Sequence, residues 1–310
     1  MNDGTINKTV PADNFYLFKS CVAGSIYPGI EISIRYVLDR IGARYTDDPN
    51  HSSCTGFGVH CGAVPLSTNL AINARNFSIV SQSEDRNIIC TCPTTYGNLK
   101  ECKEMLSHDR SKREQTISVL EKIGRPYDIS PTVHHVSEVF LKNLGIIKSR
   151  AVYSPEGIRA ATHHGCHYSK IFFADVTSGS YERPTVLDDI ASGLGCEVAD
   201  YGERALCCGM GFHHTMIEGE YPGALLERKF SSILEAKPDL IITQCAGCSF
   251  NLDYYQEKIS CRLGCELDIP VLYISELVAL LLGADPYEIG LDMHAVPVEP
   301  LLEKIGIGVE

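Results

Sequence analysis

The chemistry of this chain is concentrated in its cysteines. Cys166, the run Cys207-Cys208-Gly209 and the run Cys245-Ala246-Gly247-Cys248 put five thiols within 83 residues. A vicinal pair and a CxxC are poor disulfides in themselves, yet both bring soft thiolates to one point, the coordination that zinc or an iron–sulfur cluster takes. Five thiolates are one too many for tetrahedral zinc, and the ligands come from three separate strand ends rather than two compact knuckles. A multi-iron cluster is the expectation, with zinc or a metal-free thiol pair as the alternatives.

Shifting the chain against itself uncovers a second, altered copy. A shift of 153 residues lays Ile88, Ile89, Cys92, Asn98 and Leu99 on Ile241, Ile242, Cys245, Asn251 and Leu252. A shift of 154 lays Ser53-Cys54 on Cys207-Cys208, and a shift of 145 lays Cys21 on Cys166. The chain therefore reads as a duplication. In the first copy Ser53 and Thr95 stand where the second has Cys207 and Cys248. Cys90, two residues before Cys92, restores the count to four: Cys21, Cys54, Cys90 and Cys92, suited to a [2Fe-2S] or an ordinary [4Fe-4S] cluster. Cys61 echoes the pair less well than Cys54 and is not expected to ligate. Cys102, Cys196, Cys261 and Cys265 read as small buried hydrophobes, the last two as core or loop.

Histidines crowd the second motif at His163, His164, His167, His213 and His214, where an imidazole can donate to sulfur or move a proton. His167, next to Cys166, is the candidate catalytic residue. The glycines around Cys208 lack the following Lys-Ser/Thr of a phosphate loop, and no dinucleotide fingerprint occurs, so electrons are expected to come from another protein.

These residues must be held by strand ends. Apolar runs at Asn14 to Lys19, Asn87 to Ile89 and Asp239 to Thr243 each lead into cysteine, and helical periodicity follows over Ile30 to Ile41, Tyr96 to Leu106 and Ser249 to Ile259. This is the α/β pattern, with mostly parallel sheets and chemistry outside the strand C-termini. The expected domains are 1–150 and 151–310, joined near Lys148 to Ser154. Lys103 to Arg125 is expected as one exposed helix, and the last 25 residues as a C-terminal extension outside the core. The chain has 310 residues, 44% apolar and 21% charged, enough for a sizeable core. A net charge of −12 without a basic block argues against nucleic acid and anionic membranes. No apolar run is long enough to span a membrane, and the polar N-terminus lacks a secretory signal, so a cytoplasmic protein is expected.

The duplicated pattern Cys-x40-Cys-Cys-Gly-x35-Cys-x2-Cys resembles the cysteine-rich CCG domain of the heterodisulfide reductase B subunit. The resemblance implies that Cys166, Cys207, Cys208, Cys245 and Cys248 hold a non-cubane [4Fe-4S] cluster. It also implies partners, a ferredoxin-like iron–sulfur C subunit and a flavin-containing A subunit, and a disulfide, thiol or persulfide substrate. Because only one motif is complete, both the coenzyme M–coenzyme B heterodisulfide of methanogens and the sulfane sulfur handled by related complexes of sulfur oxidisers remain candidates. An electron-relay or structural subunit without its own substrate site is the alternative.

Overall fold

The computed structural model describes residues 10–170, 176–211 and 221–308. Two four-stranded, wholly parallel sheets organise it. The first contains β1 (Phe15–Phe18), β2 (Tyr45–Thr46), β3 (Asn87–Cys90) and β4 (Thr132–His135) in the order β2-β1-β3-β4. The second contains β5 (Arg159–His163), β6 (Glu197–Ala199), β7 (Leu240–Thr243) and β8 (Val271–Tyr273) in the matching order β6-β5-β7-β8. The α/β architecture with parallel sheets is as the strand–helix alternation implies. Parallel strands need helical crossovers that cover both faces, which is why β1 and β7 are buried at every position and, Thr243 aside, apolar. In each sheet the chain reverses its direction of travel between the two central strands, and the crevice at their carboxyl ends receives the cysteines.

Helix Gly29–Ile41 shows how sequence becomes packing. Ile30, Ile34, Val37, Leu38 and Ile41 recur on one face and are buried, and Gly42 ends the helix in the left-handed region (φ 76°) with its N–H on the Asp39 and Leu38 carbonyls. That face lies against helix Ile274–Leu281, all eight of whose residues are buried. At roughly 1.5–3 kcal/mol for each large aliphatic side chain buried, this contact ties the second sheet to the first. One apolar cluster runs from Phe18 and Phe77 through to Leu277 and Leu302.

Three expectations change. The final residues are not peripheral: Ile289, Leu291, Leu301 and Ile305 are buried in the shared core, and a Cβ at Gly29 would fall 2.1 Å from the Ile289 carbonyl oxygen. The prolines there set turns and a helix start, Pro300 lying in the first turn of helix Glu299–Ile305, rather than expelling the segment. The charged stretch is two helices, Pro93–His108 and Arg110–Lys122, broken at Asp109, whose extended backbone lets its carboxylate cap the Lys112 N–H (3.0 Å). Thr116 and Leu120 of the second are buried, so only part of it is exposed. The helix expected over Ser249 to Ile259 is likewise divided into Ala246–Tyr254 and Gln256–Leu263.

Candidate functional site

At the carboxyl end of β5 the chain turns through Gly165 (φ 79°) into Cys166. A side chain at 165 would meet Cys245 Cβ at 3.3 Å and Cys248 Sγ at 3.5 Å, so glycine there lets the backbone close on the thiols. Beyond β6, Gly209 (φ 92°) folds the backbone back on the vicinal pair. Its N–H reaches Cys207 Sγ at 3.4 Å, the Met210 N–H serves Cys208, and Asn251 Nδ2 holds the Cys208 carbonyl at 2.6 Å. Beyond β7, Cys245 caps helix Ala246–Tyr254 and Cys248 lies in its first turn.

The five thiols stand beside one another in an unbroken series, Cys166 to Cys207 to Cys208 to Cys248 to Cys245. It continues across the two halves, because Cys92, which caps helix Pro93–His108 as Cys245 caps its counterpart, stands beside Cys245. Cys54 is the electrostatic neighbour of Cys92, and Cys21 that of Cys54. Eight of the nine candidate cysteines are thus brought into one line. The ninth, Cys90, ends β3 and is buried between Phe18 of β1 and His135 of β4. The Tyr273 phenol, which donates to the Thr91 carbonyl at 2.9 Å, faces Cys90, Cys92 and Cys245 together.

Crowding governs ionisation here. Hydrogen bonds from Cys166 and Cys208 pull Cys207 far below the usual thiol range, and those from Cys248 and Cys92 do the same to Cys245. Bonding to those acceptors, together with burial, pushes Cys166, Cys92 and Cys208 up, and Cys248 follows through its bonds to Cys208 and Cys245. So many buried thiols cannot all ionise beside one another unless positive charge lies among them, which is the donor chemistry of a thiolate-bound metal centre. A ring nitrogen of His163 and the sulfurs of Cys208 and Cys248 all lie within 4.8 Å of one another. The buried Lys229 Nζ approaches His163 Nδ1 at 3.4 Å and donates to the Glu203 carbonyl at 2.7 Å, and burial lowers its pKa to about 8.

His167 bridges the halves: its Nδ1 is 2.7 Å from Thr94 Oγ1, and it lies beside Cys245 and Cys207, with burial lowering its pKa. His164 is structural. Its Nε2 accepts from the Leu187 N–H at 3.0 Å, and burial, with Arg204 nearby, lowers its pKa to about 3. His213 and His214 lie outside the described residues. Cys166 and Cys207 are half-buried, whereas Cys208, Cys245 and Cys248 are buried, so the series opens at the Cys166 end. There a cleft of about 790 Å³ begins, lined by Arg159, Lys170, Arg183 and Arg204 and by Asp188 and Asp200. The other end, Cys21, is exposed.

Burial lifts the Cys102 and Cys196 thiols to about 12, as expected of cysteines that pack as hydrophobes. Cys61 is half-buried with its Sγ 3.4 Å from the Gly58 carbonyl. Cys261 and Cys265 are exposed, not buried, because helix Gln256–Leu263 buries Gln256 and Ile259 and turns Cys261 outward, and Cys265 follows the left-handed Gly264. Lys229, Thr94 and Tyr273 were not singled out from sequence. Lys229 reads as one more charged residue of helix Tyr221–Ala236, and only its buried partners mark it. Among the described residues no helix is long and apolar enough to cross a membrane.

The family model for the cysteine-rich CCG domain matches residues 15–100 and again 160–253. The chain is 35% identical to the B subunit of ferredoxin:CoB-CoM heterodisulfide reductase from Methanosarcina acetivorans, over 97% of this chain and 98% of that one. It is 27% identical to the 8-methylmenaquinol:fumarate reductase membrane anchor subunit of Wolinella succinogenes, over 93% and 98%. A hypothetical protein from Helicobacter pylori shares the fold, with a TM-score of 0.69 at 14% identity; the match covers 93% of this chain and about half (53%) of that one. Repeated CCG matches and a full-length relative at this identity mean that the chain belongs to the family of heterodisulfide reductase B subunits, with its cysteine-rich domain present twice.

Proposed function

We propose that this chain is the iron–sulfur subunit of a heterodisulfide-reductase-like complex. In this reading residues 151–310 hold a non-cubane [4Fe-4S] cluster on Cys166, Cys207, Cys208, Cys245 and Cys248. Residues 1–150 hold a [2Fe-2S] or [4Fe-4S] cluster on Cys21, Cys54, Cys90 and Cys92. The observation that carries it is the line of thiols crossing both halves, reachable at Cys21 from the surface and at Cys166 from the cleft. When bound, the clusters supply one-electron transfer and iron open to an external sulfur. The chain's own residues do the rest. The Cys92–Cys245 contact keeps the two centres adjacent, so an electron entering at the Cys21 side has a short path. Cleaving a disulfide to two thiols takes two electrons and two protons, and His167, held by Thr94 beside Cys245 and Cys207, is the proton carrier. The substrate is a disulfide, thiol or persulfide entering by the cleft. A ferredoxin-like iron–sulfur subunit and a flavin-containing subunit are the partners, the protein working in the cytoplasm. The relatives named as ferredoxin-linked CoB-CoM heterodisulfide reductase subunits support both the redox role and the disulfide class.

Anaerobic iron and sulfide counts with electron paramagnetic resonance, with and without added thiols, test this. The expected result is about six to eight irons per chain and a thiol-sensitive signal from the second cluster only. Zinc without iron or labile sulfide overturns the cluster reading, and a signal indifferent to thiols favours a pure relay. For the first cluster, Cys90→Ser alters its spectrum and Cys61→Ser does not; the reverse result overturns that ligand set.

A further inference from the structure

His163 is the last residue of β5, three positions before Cys166, and is 2% exposed. Its two ring nitrogens face different neighbours. Nδ1 is met by Lys229 Nζ at 3.4 Å, whereas Nε2 is buried without a hydrogen-bond partner. An ammonium group has donors and no acceptor, so Nδ1 must be the acceptor and the ring proton lies on Nε2. Lys229 is itself held, donating to the Glu203 carbonyl at 2.7 Å, and is fully buried. A buried N–H left unsatisfied is costly, and the Cys208 and Cys248 sulfurs, within 4.8 Å of a ring nitrogen of His163, are the neighbouring groups that could accept from it. The corresponding position in the first half, three before Cys21, is Phe18, which has no N–H to offer.

We propose that Lys229 locks His163 in the Nε2–H tautomer so that the imidazole donates a hydrogen bond to the Cys208 and Cys248 sulfurs and thereby raises the reduction potential of the second-half cluster. The proposal rests on the cluster reading above and adds a residue to it. Donation to a cysteine sulfur withdraws electron density from the cluster and favours its reduced form. The arrangement sets apart the half with five thiols as the more easily reduced of the two, the direction needed for electrons to collect where sulfur is to be cleaved. His163 acts through the sulfurs as a positioning and tuning residue.

The test is made on the anaerobically purified full chain. Iron and sulfide are counted first, since their absence from the unsubstituted protein overturns the cluster reading and this proposal with it. In the loaded protein, 15N-histidine labelling with pulsed electron paramagnetic resonance should give a weakly coupled His163 nitrogen at the second cluster, told apart from any His167 coupling by comparison with the His163 variant. His163→Leu should shift that cluster's midpoint potential downward and abolish the His163 coupling, leaving the first cluster's potential in place. His163→Gln, which retains an N–H near the same point, should lie closer to wild type. Lys229→Met should shift the midpoint in the same direction as His163→Leu. Loaded His163→Leu with an unmoved midpoint overturns the proposal alone. So does a strongly coupled nitrogen that disappears in His163→Gln, which would make His163 an iron ligand, or no coupled nitrogen in the wild type, a result that stands even if the leucine variant loses its cluster.

Discussion

The two halves use one framework and fill it with different donors. Beyond β6 the Gly209 N–H donates to Cys207 Sγ at 3.4 Å; beyond β2 the Thr55 N–H donates to Ser53 Oγ at the same 3.4 Å. Asn251 holds the Cys208 carbonyl at 2.6 Å, and Asn98 holds that of Cys54 at 2.5 Å. Cys248 bonds to Cys208, and in its place Thr95 Oγ1 donates to Cys54 Sγ at 3.3 Å. Hydroxyls have thus taken the places of two thiols while keeping their contacts. A hydroxyl can donate to a sulfur and hold a loop, but it is a poor ligand for the soft metals that thiolates bind. The lesson is that the loop geometry does not depend on the full ligand set, so one half can give up two thiols without losing its shape.

The buried glutamates after the last strand of each sheet diverge in the same way. Glu138 accepts the His135 N–H, and Glu276 accepts that of Tyr273. Glu138 Oε1 is then satisfied by hydroxyls: Tyr96 at 3.2 Å, Tyr168 at 3.1 Å and Thr177 at 2.7 Å, the two phenols stacked with one from each half. Glu276 instead faces the imidazole of His294, which also meets Asp253 at 3.6 Å.

The largest effect expected from this comparison follows Cys248→Ser, which should remove the second cluster and its share of the iron, about four atoms, while Thr95→Val in the matching place leaves the iron count intact. Equal iron loss in both variants would break the assignment of the complete motif to the second half. Next, Ser53→Cys with Thr95→Cys should complete in the first half the five-thiol motif of the second, with Cys90 as a sixth thiol beside it, and move its paramagnetic signal toward that of the second. An unchanged signal would show that more than donor atoms separates the two.

Stability should fall on the alkaline side because of His294. Burial opposes its charge, but Glu276 and Asp253 outweigh it and raise its pKa to about 10 from an ordinary 6.5. A raised folded-state value stabilises fully below pH 6.5, and that contribution drains away as the pH climbs toward 10, by at most about 1.4 kcal/mol per unit. Chemical denaturation at intervals between pH 6.5 and 8 should show the decline, before the buried Lys229, lowered to about 8, begins to lose its charge and adds the opposite trend, and His294→Asn should lose it. The smallest effect concerns the backbone: Thr55 holds φ 56° where its counterpart Gly209 holds 92°. Relieving a branched residue of the left-handed region is worth roughly 1–2 kcal/mol, so Thr55→Gly should raise the melting temperature by a few degrees; a fall would mean that the Thr55 Oγ1 bond to Asn69 (2.6 Å) outweighs the strain.

From sequence alone came the duplication, the parallel α/β layout, the fully matched motif of the second half and the gaps at Ser53 and Thr95. All of these are local: strand hydrophobicity and cysteine spacing are written in contiguous residues, and a duplicated chain repeats them at a constant shift. The tertiary structure decided what depends on residues far apart in the chain meeting, within a half or across the two. It set Cys92 against Cys245 and Thr94 against His167, drew the proline-bearing C-terminal segment into the core, and buried Lys229 behind His163. None of those pairings has a spacing signature: those between the halves depend on the packing of helix Gly29–Ile41 on helix Ile274–Leu281, and that of Lys229 with His163 on helix Tyr221–Ala236 packing against the second sheet, neither of which any one stretch specifies by itself.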